Sequence, residues 1–159
     1  MKNIGVGLIR KMFVFSGISA VLVWSMVLFL QGMVSAGTIP QISAGGYHSV
    51  ALLPDGKVWA WGYNGYGQLG DGTTTDSTTP VKVKNLSHVA AIAGGGYHSS
   101  ARRANGRVYA WGWNLYGQLG DGTYTNRTKP VRVSGFTRSA GIADGWAHTM
   151  VRKANGTVY

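Results

Sequence analysis

Cysteine and glutamate are both missing from this 159-residue chain. Without cysteine, disulfides and thiolate chemistry are excluded. The only carboxylate side chains are those of Asp55, Asp71, Asp76, Asp121 and Asp144. Glycosidase chemistry needs two convergent carboxylates with different pKa values, and two of the five aspartates recur in phase with a repeat, which indicates a structural role. We therefore expect no enzymatic activity and no catalytic residue.

Negative charge is scarce, with five acidic residues against 15 Lys and Arg, and the excess is uneven. The first repeat is balanced, whereas residues 91–140 carry seven Lys or Arg against Asp121 alone. One basic module could bind an acidic protein, an anionic polymer or a membrane surface. The alternative is that its charges simply form a solvent-exposed face without a partner. Nucleic-acid binding ranks last among the partners, because the positive charge has no matching stacking motif.

The feature that is abundant is repetition, with a period of fifty residues. Residues 45–49, Gly-Gly-Tyr-His-Ser, return at 95–99, and 67–73, Gly-Gln-Leu-Gly-Asp-Gly-Thr, return at 117–123. A third copy opens at Gly145, and 25 of the 39 positions from Gly45 to Val83 are identical one period later. The spacing divides residues 37–159 into repeats at about 41–90, 91–140 and 141–159, the last one truncated.

Residues 1–36 differ in composition from the repeats. Lys2, Arg10 and Lys11 precede an uncharged apolar stretch from Met12 to Leu30, and small residues follow at 34–36. This layout predicts a signal peptide cleaved after residue 36. The stretch is also long enough for a membrane anchor if it is not cleaved. Both alternatives predict that the repeats are secreted, periplasmic or on the cell surface.

Each repeat contains several short strand patterns and no amphipathic helix. Residues 48–53 and 57–61 flank a Pro-Asp-Gly turn and predict a hairpin. Residues 80–83 and 89–93 predict two further strands of the same module. Four antiparallel strands per repeat predict an all-β fold made of propeller blades, preceded by an apolar N-terminal helix.

The recurring motifs Gly-x-x-His-Ser/Thr, Ala-Trp-Gly-x-Asn and Gly-Gln-Leu-Gly-Asp-Gly-Thr resemble the regulator of chromosome condensation repeat family. The resemblance covers residues 45–159. It implies a seven-bladed β-propeller and work through protein partners, as in a secreted bacterial member that inhibits β-lactamases. Two modules and part of a third are too few for such a ring, so we expect a partial chain of a longer protein or, less favoured, an oligomer that completes a ring.

The in-phase polar residues look structural. We expect His48, His98 and His148 to bond backbone within their own blade, because single histidines without neighbouring ligands do not make a metal site. Trp61 and Trp111 are expected between blades. The Gly67–Thr73 loop lacks the lysine of a phosphate loop and the oxygens of a calcium loop, so Asn64 and Gln68 are expected to tie down its backbone. No cofactor or metal is expected.

Positions that change between repeats are free to carry function. Such changes fall mainly in the long loop and introduce aromatic and cationic residues, which dominate protein interfaces. We therefore predict an exported, non-enzymatic propeller that binds an unidentified protein. A carbohydrate- or cell-wall-binding module and a nonfunctional fragment are the alternatives. The predicted partner-binding residues are Tyr63, Tyr66, Trp113, Leu115, Tyr116, Tyr124, Arg127 and Lys129.

Overall fold

The structure, a computed structural model, describes residues 37–159. The predictions of a signal peptide, a membrane anchor and an N-terminal helix within residues 1–36 lie outside this range. The described residues include no helix long and apolar enough to cross a membrane. Their regular secondary structure consists of ten β-strands, which confirms the all-β prediction for the repeats.

The strands form two antiparallel four-stranded sheets and one antiparallel pair, each in sequence order. A short bridge between Arg152 and Val158 adds to the pair. Four antiparallel strands per sheet are typical of propeller blades. The strands are β1 (Gln41–Ala44), β2 (His48–Leu52), β3 (Val58–Gly62) and β4 (Ser77–Lys82); β5 (Val89–Gly94), β6 (His98–Arg103), β7 (Val108–Gly112) and β8 (Arg127–Arg132); β9 (Ser139–Asp144) and β10 (Thr149–Lys153).

The predicted hairpin forms as β2 and β3, with His48 opposite Gly62 and Leu52 opposite Val58. The strand at 89–93 differs from the prediction, which placed it in the first module. It is β5, the first strand of the second sheet, and pairs with β6 across the short Gly95–Tyr97 connection. The first strand of the first sheet is instead Gln41–Ala44, which pairs with β2 in the same way.

Neighbouring sheets pack face against face, so the central sheet is buried on both sides. Val50, Leu52 and Val58 of the first sheet pack with Ala101 and Trp111 of the second in one core cluster. The alternate residues of β7 point the other way: Val108 and Ala110 join Leu119, Val133 and Val151 in a second cluster. Because successive side chains of a strand point to opposite faces, one strand serves both cores.

The sheets have two chemically different ends. At the end that we call the turn end, hairpin turns bond the connection into the next sheet: Ala104 N donates to His88 O, and Ala154 N donates to Arg138 O. At the other end, the loop end, Gly46 N donates to Gly95 O and Gly96 N donates to Trp146 O. The turn end comprises 53–57, 88–89, 103–107, 138–139 and 153–157; the loop end comprises 45–47, 62–66, 95–97, 112–116 and 145–147.

The in-phase histidines join neighbouring sheets. Buried His48 places Nε2 2.7 Å from Ser99 Oγ, and His98 places Nε2 3.0 Å from Thr149 Oγ1. Our expectation of a backbone bond within the same blade is wrong for both. The reason is that each ring lies over the glycine three residues before it and points out of its own sheet. Each histidine therefore ties one sheet to the next.

The tautomer of His48 follows from its partner. Ser99 Oγ donates to Gln68 O at 2.9 Å, so Nε2 of His48 must supply the hydrogen between the ring and this hydroxyl. A second proton would sit on Nδ1, which is buried without a partner among the described residues. Burial, followed by the nearby His98, lowers the His48 pKa from 6.5 to about 4.

This lowered pKa predicts acid sensitivity. In the unfolded chain His48 becomes protonated near pH 6.5, whereas in the folded chain it stays neutral down to about pH 4. The free energy of unfolding therefore falls as the pH drops from about 6.5 to about 4. Between pH 7 and pH 5 the free energy of unfolding should fall by about 2 kcal/mol. Urea unfolding at both pH values measures it. His48→Gln should remove most of this pH dependence while the matched variant His88→Gln keeps it; equal dependence in both variants would refute the assignment.

Candidate partner-binding surface

The long loop between the third and fourth strands is built around a buried asparagine. The Asn64 amide nitrogen donates to Thr73 O and Thr75 O, at 3.2 and 3.0 Å, and its oxygen accepts from Leu69 N at 2.9 Å. Asn114 makes the same contacts one period later. Gln68 accepts from Tyr66 N at 3.0 Å. The predicted role of Asn64 and Gln68 in fixing loop backbone is confirmed.

The recurrent aspartates brace the same loop. Partial burial raises the pKa of Asp71, but bonds from the Thr73 amide and hydroxyl and the Asn64 amide outweigh it and leave that pKa below its usual value. The balance at Asp121 is the same, with Thr123 and Arg127 as donors. Bonds to the ionised form hold both carboxylates charged. They are structural anchors, as their recurrence predicts.

The first loop also seals the boundary between the first two sheets. Trp111 is fully buried and its Nε1 donates to Gln68 O at 2.8 Å. The expectation that Trp111 lies between blades is confirmed. Trp61, at the same position of the first repeat, is only half-buried, because no described sheet covers that face. The loop end is therefore held on a rigid base.

Seven aromatic rings form one continuous cluster on this base. Tyr47 and Tyr97 stack with centroids 4.9 Å apart, and Tyr97 lies 5.5 Å from Trp146 in an edge-to-face contact. Such pairs contribute about 0.5–1.5 kcal/mol each beyond their buried area. The chain of contacts then runs through the loops of both complete repeats. The aromatic cluster comprises Tyr47, Tyr63, Tyr66, Tyr97, Trp113, Tyr116 and Trp146.

At the centre of the cluster, Tyr47 affects the hydroxyl of the stacked Tyr97. The neighbouring Tyr47 hydroxyl is the main cause that raises the pKa of Tyr97 to about 12, followed by loss of hydration. Tyr97 stays a neutral donor and acceptor throughout the physiological range. None of the loop-end residues carries a charge. The cluster thus offers apolar ring surface with neutral hydroxyls.

The aromatic cluster is partly open to solvent. Tyr47, Tyr63, Tyr116 and Trp146 are exposed, with Tyr116 67% accessible, whereas the other three rings are half-buried. Exposed aromatic rings on a rigid scaffold are typical of interface anchors, because two χ angles are the only side-chain freedom lost on binding. This is the largest group of contacting aromatic side chains that the described residues show.

The structure divides the predicted partner-binding residues into two groups. Tyr63, Tyr66, Trp113 and Tyr116 lie in the aromatic cluster, and exposed Leu115 adjoins them in the same loop. The other three have no ring contact with it. Tyr124 is 74% exposed, Arg127 pairs with Asp121 at 2.8 Å, and Lys129 is exposed on β8.

Sequence reasoning missed three members of the cluster. Tyr47 and Tyr97 occupy one position of the first two copies, where the third copy has Ala147, and Trp146 stands where the first two copies have Gly46 and Gly96. None of the three was among the predicted partner-binding residues, which were chosen mainly because they change between the first two copies. For two of them a detectable signal was present, since Tyr47 and Tyr97 stand directly before the inter-sheet histidines His48 and His98. The histidine turns inward to the next sheet, and the preceding side chain therefore turns outward to the loop end.

His98, Asp144 and Ser100 form a second polar group, which is buried and inaccessible to solvent. His98 Nε2 lies 3.7 Å from Asp144 Oδ1, and both side chains are inaccessible. Ser100 Oγ donates to the same carboxylate at 3.0 Å. A substrate cannot reach this group, so it joins the second and third sheets. Across residues 37–159, no three His, Asp, Glu or Cys side chains are grouped in a way that could hold a metal ion.

The geometry agrees with the comparison to known protein families. The profile described as "Regulator of chromosome condensation (RCC1) repeat" matches residues 55–102 and 105–152. A second profile with the same description matches 40–68 and 89–118. Together these matches cover both complete sheets and most of the third.

Individual relatives match over one repeat length. The RCC1 domain-containing protein RUG3 of Arabidopsis thaliana is 45% identical over 49 residues, and the ultraviolet-B receptor UVR8 of the same plant is 48% identical over 46. These alignments cover 31% and 29% of this chain and 11% and 10% of the relatives. The matched part of this chain thus spans about a tenth of each relative's length.

Solved structures share the arrangement of the sheets. Human WBSCR16 aligns with a TM-score of 0.67 and 26% identity, over 74% of this chain and 32% of that protein. Yeast RCC1 (Prp20), solved bound to Kap60, aligns with a TM-score of 0.63 and 29% identity, over 75% and 28%. The described sheets therefore have the packing of consecutive blades in these proteins.

Proposed function

This chain belongs to the regulator of chromosome condensation (RCC1) repeat family. We propose that it is a non-enzymatic scaffold that binds another protein through the aromatic cluster. The observation that carries the proposal is the continuous run of seven rings drawn from all three repeats. Tyrosine and tryptophan are enriched at binding hot spots. We also propose that the protein is secreted, periplasmic or on the cell surface, because residues 1–36 have the layout of a signal peptide or membrane anchor.

The relatives support this class of function. Yeast RCC1 (Prp20) has been solved bound to Kap60, and its structure has been described together with its binding to Gsp1p and histones. All three are proteins, which favours a protein partner for this chain too. An uncharged aromatic patch suits the desolvated centre of an interface, where charged residues are depleted.

The test is site-specific photo-crosslinking in the producing cell. A benzoylphenylalanine residue replaces Leu115 at the loop end or, as the matched control, Ala104 at the turn end; both sites are exposed. We expect a discrete protein adduct from position 115 alone, identified by mass spectrometry and then reproduced with the purified partner. An adduct from position 104 alone, or from neither position, would count against the proposed surface.

Carbohydrate binding is the second candidate, since exposed Tyr116 and Trp146 sit at the edges of the cluster. Against it, most ring pairs are edge-to-face, so that neighbouring edges cover ring faces that a sugar would need. Retention of the full chain on cell-wall polysaccharide, lost in Tyr116→Ala and without any protein adduct at position 115, would favour this candidate instead.

A further inference from the structure

The turn end carries a concentrated positive charge. Its five segments contain five Lys or Arg and a single acidic residue, Asp55. The loop end contains seven aromatic residues and no charged one. The arc of sheets therefore has a basic end and an opposite aromatic end. The cations of the turn end are Lys57, Arg103, Arg107, Arg138 and Lys153.

Most of this charge is uncompensated. Within residues 37–159, Lys57 is the one member with a salt bridge, to Asp55. Arg103 lies 4.4 Å above the Tyr109 ring and Lys153 lies 4.4 Å from the Tyr159 ring, contacts that leave the charge in place. Exposed Arg107 and Arg138 make no side-chain hydrogen bond in this range. Such a patch attracts a polyanion over a Debye length of about 8 Å at physiological salt.

Thr38 also lies at this end. Thr38 N donates to Pro54 O in the first hairpin turn at 3.1 Å, and Thr38 Oγ1 donates to Val89 O at 3.2 Å. Covalent continuity means that whatever precedes residue 37 joins the domain beside the basic patch. The sequence there contains the uncharged apolar stretch from Met12 to Leu30, with six residues between it and Gly37.

We propose that the turn end docks on the anionic headgroups of a lipid bilayer, with the aromatic loop end directed away from it. The proposal takes the alternative in which residues 12–30 are not cleaved off and act as a membrane anchor. An apolar anchor combined with a basic patch is a recognised two-part form of membrane attachment. Lipid is favoured over nucleic acid because the three aromatic rings in contact with the cations of the patch, those of Tyr109, Phe136 and Tyr159, are already covered by them. This orientation leaves the aromatic cluster free for a partner in solution.

The test uses the absence of cysteine from the chain. The full chain, labelled with a fluorophore at Ala104→Cys or at Leu115→Cys, is reconstituted in vesicles that carry a quencher on their headgroups. We expect strong quenching at position 104 in vesicles containing phosphatidylglycerol and weak quenching in pure phosphatidylcholine. The quenching should be relieved by high salt, and position 115 should stay unquenched in both.

Matched charge variants separate the patch from net charge. Each cation near the surface contributes about a fivefold change in partition, so Arg107→Gln with Arg138→Gln should weaken docking about 25-fold. Lys84→Gln with Lys129→Gln removes the same charge from exposed sites outside the turn end and should change docking less than about twofold. Equal weakening by both pairs, equal quenching in neutral vesicles, or stronger quenching at position 115 would overturn the proposal.

Discussion

Gly95→Ala is expected to lower the free energy of unfolding by about 3 kcal/mol or more. A methyl group on Gly95 would meet the His98 ring, 2.5 Å from Nδ1, and would also lie 2.7 Å from Gly145 O of the third repeat. The ring cannot withdraw, because its Nε2 is bonded to Thr149. The carbonyl is backbone, so relief requires the second and third sheets to separate. Urea unfolding of the full chain measures the loss.

Gly141→Ala is the matched control for this variant. Its added carbon would meet only the Arg152 side chain, at 3.5 Å or more, and glycine-to-alanine changes at unstrained positions are neutral or stabilising by up to about 1 kcal/mol. We expect an unfolding free energy within about 1 kcal/mol of the parent. If both variants lost the same stability, the close contact between glycine and histidine would not be what holds the sheets together.

Trp111→Ala is expected to cost about 4 kcal/mol, because it empties the largest fully buried side-chain site at the first sheet boundary. The indole also donates to Gln68 O, so the change loosens the loop that supports Tyr66. Chemical denaturation should show the loss, and near-ultraviolet circular dichroism should report altered packing of the aromatic cluster.

Two further variants make this prediction specific. Trp61→Ala, at the same repeat position on a half-buried site, should cost clearly less than Trp111→Ala. Trp111→Phe keeps most of the apolar volume, and Gln68 O retains its hydrogen bond from Ser99. Its cost in unfolding free energy should therefore lie between the costs of Trp61→Ala and Trp111→Ala. Equal costs at positions 61 and 111 would show that burial between sheets is not the source of the stability.

The hairpins were predictable because local chemistry fixes them. Pro54-Asp55-Gly56 requires a tight turn, Gly56 has the positive φ of 73° that this turn needs, and alternation in 57–61 defines the strand. The assignment of Val89–Gly94 to a sheet was not predictable in the same way. The period gives the length of each repeat but does not show at which residue one sheet ends and the next begins. The hydrogen bonds between β5 and β6 show that this strand belongs to the second sheet.

Contacts between sheets explain what sequence reasoning missed at the candidate site. His48 and Ser99 are 51 residues apart, and no local pattern shows that they meet. The same packing brings Tyr47 onto Tyr97. Variation in the long loop led to the prediction of Trp113 and Tyr116 as partner-binding residues, and both belong to the aromatic cluster. The same criterion selected Arg127, whose side chain is instead bonded to Asp121 within the folded loop.

The most direct test of the central claim is the affinity of the partner identified by crosslinking for two tyrosine variants of the full chain. Tyr116 belongs to the aromatic cluster, whereas Tyr124 is equally exposed in the same loop without a ring contact. Titration calorimetry should show that Tyr116→Ala weakens binding by about 30-fold, as for a hot spot, and Tyr124→Ala by less than about threefold. Unchanged thermal unfolding in both variants would establish that the scaffold is intact. Equal effects of the two substitutions, or no effect at Tyr116, would contradict the assignment of the aromatic cluster as the binding surface.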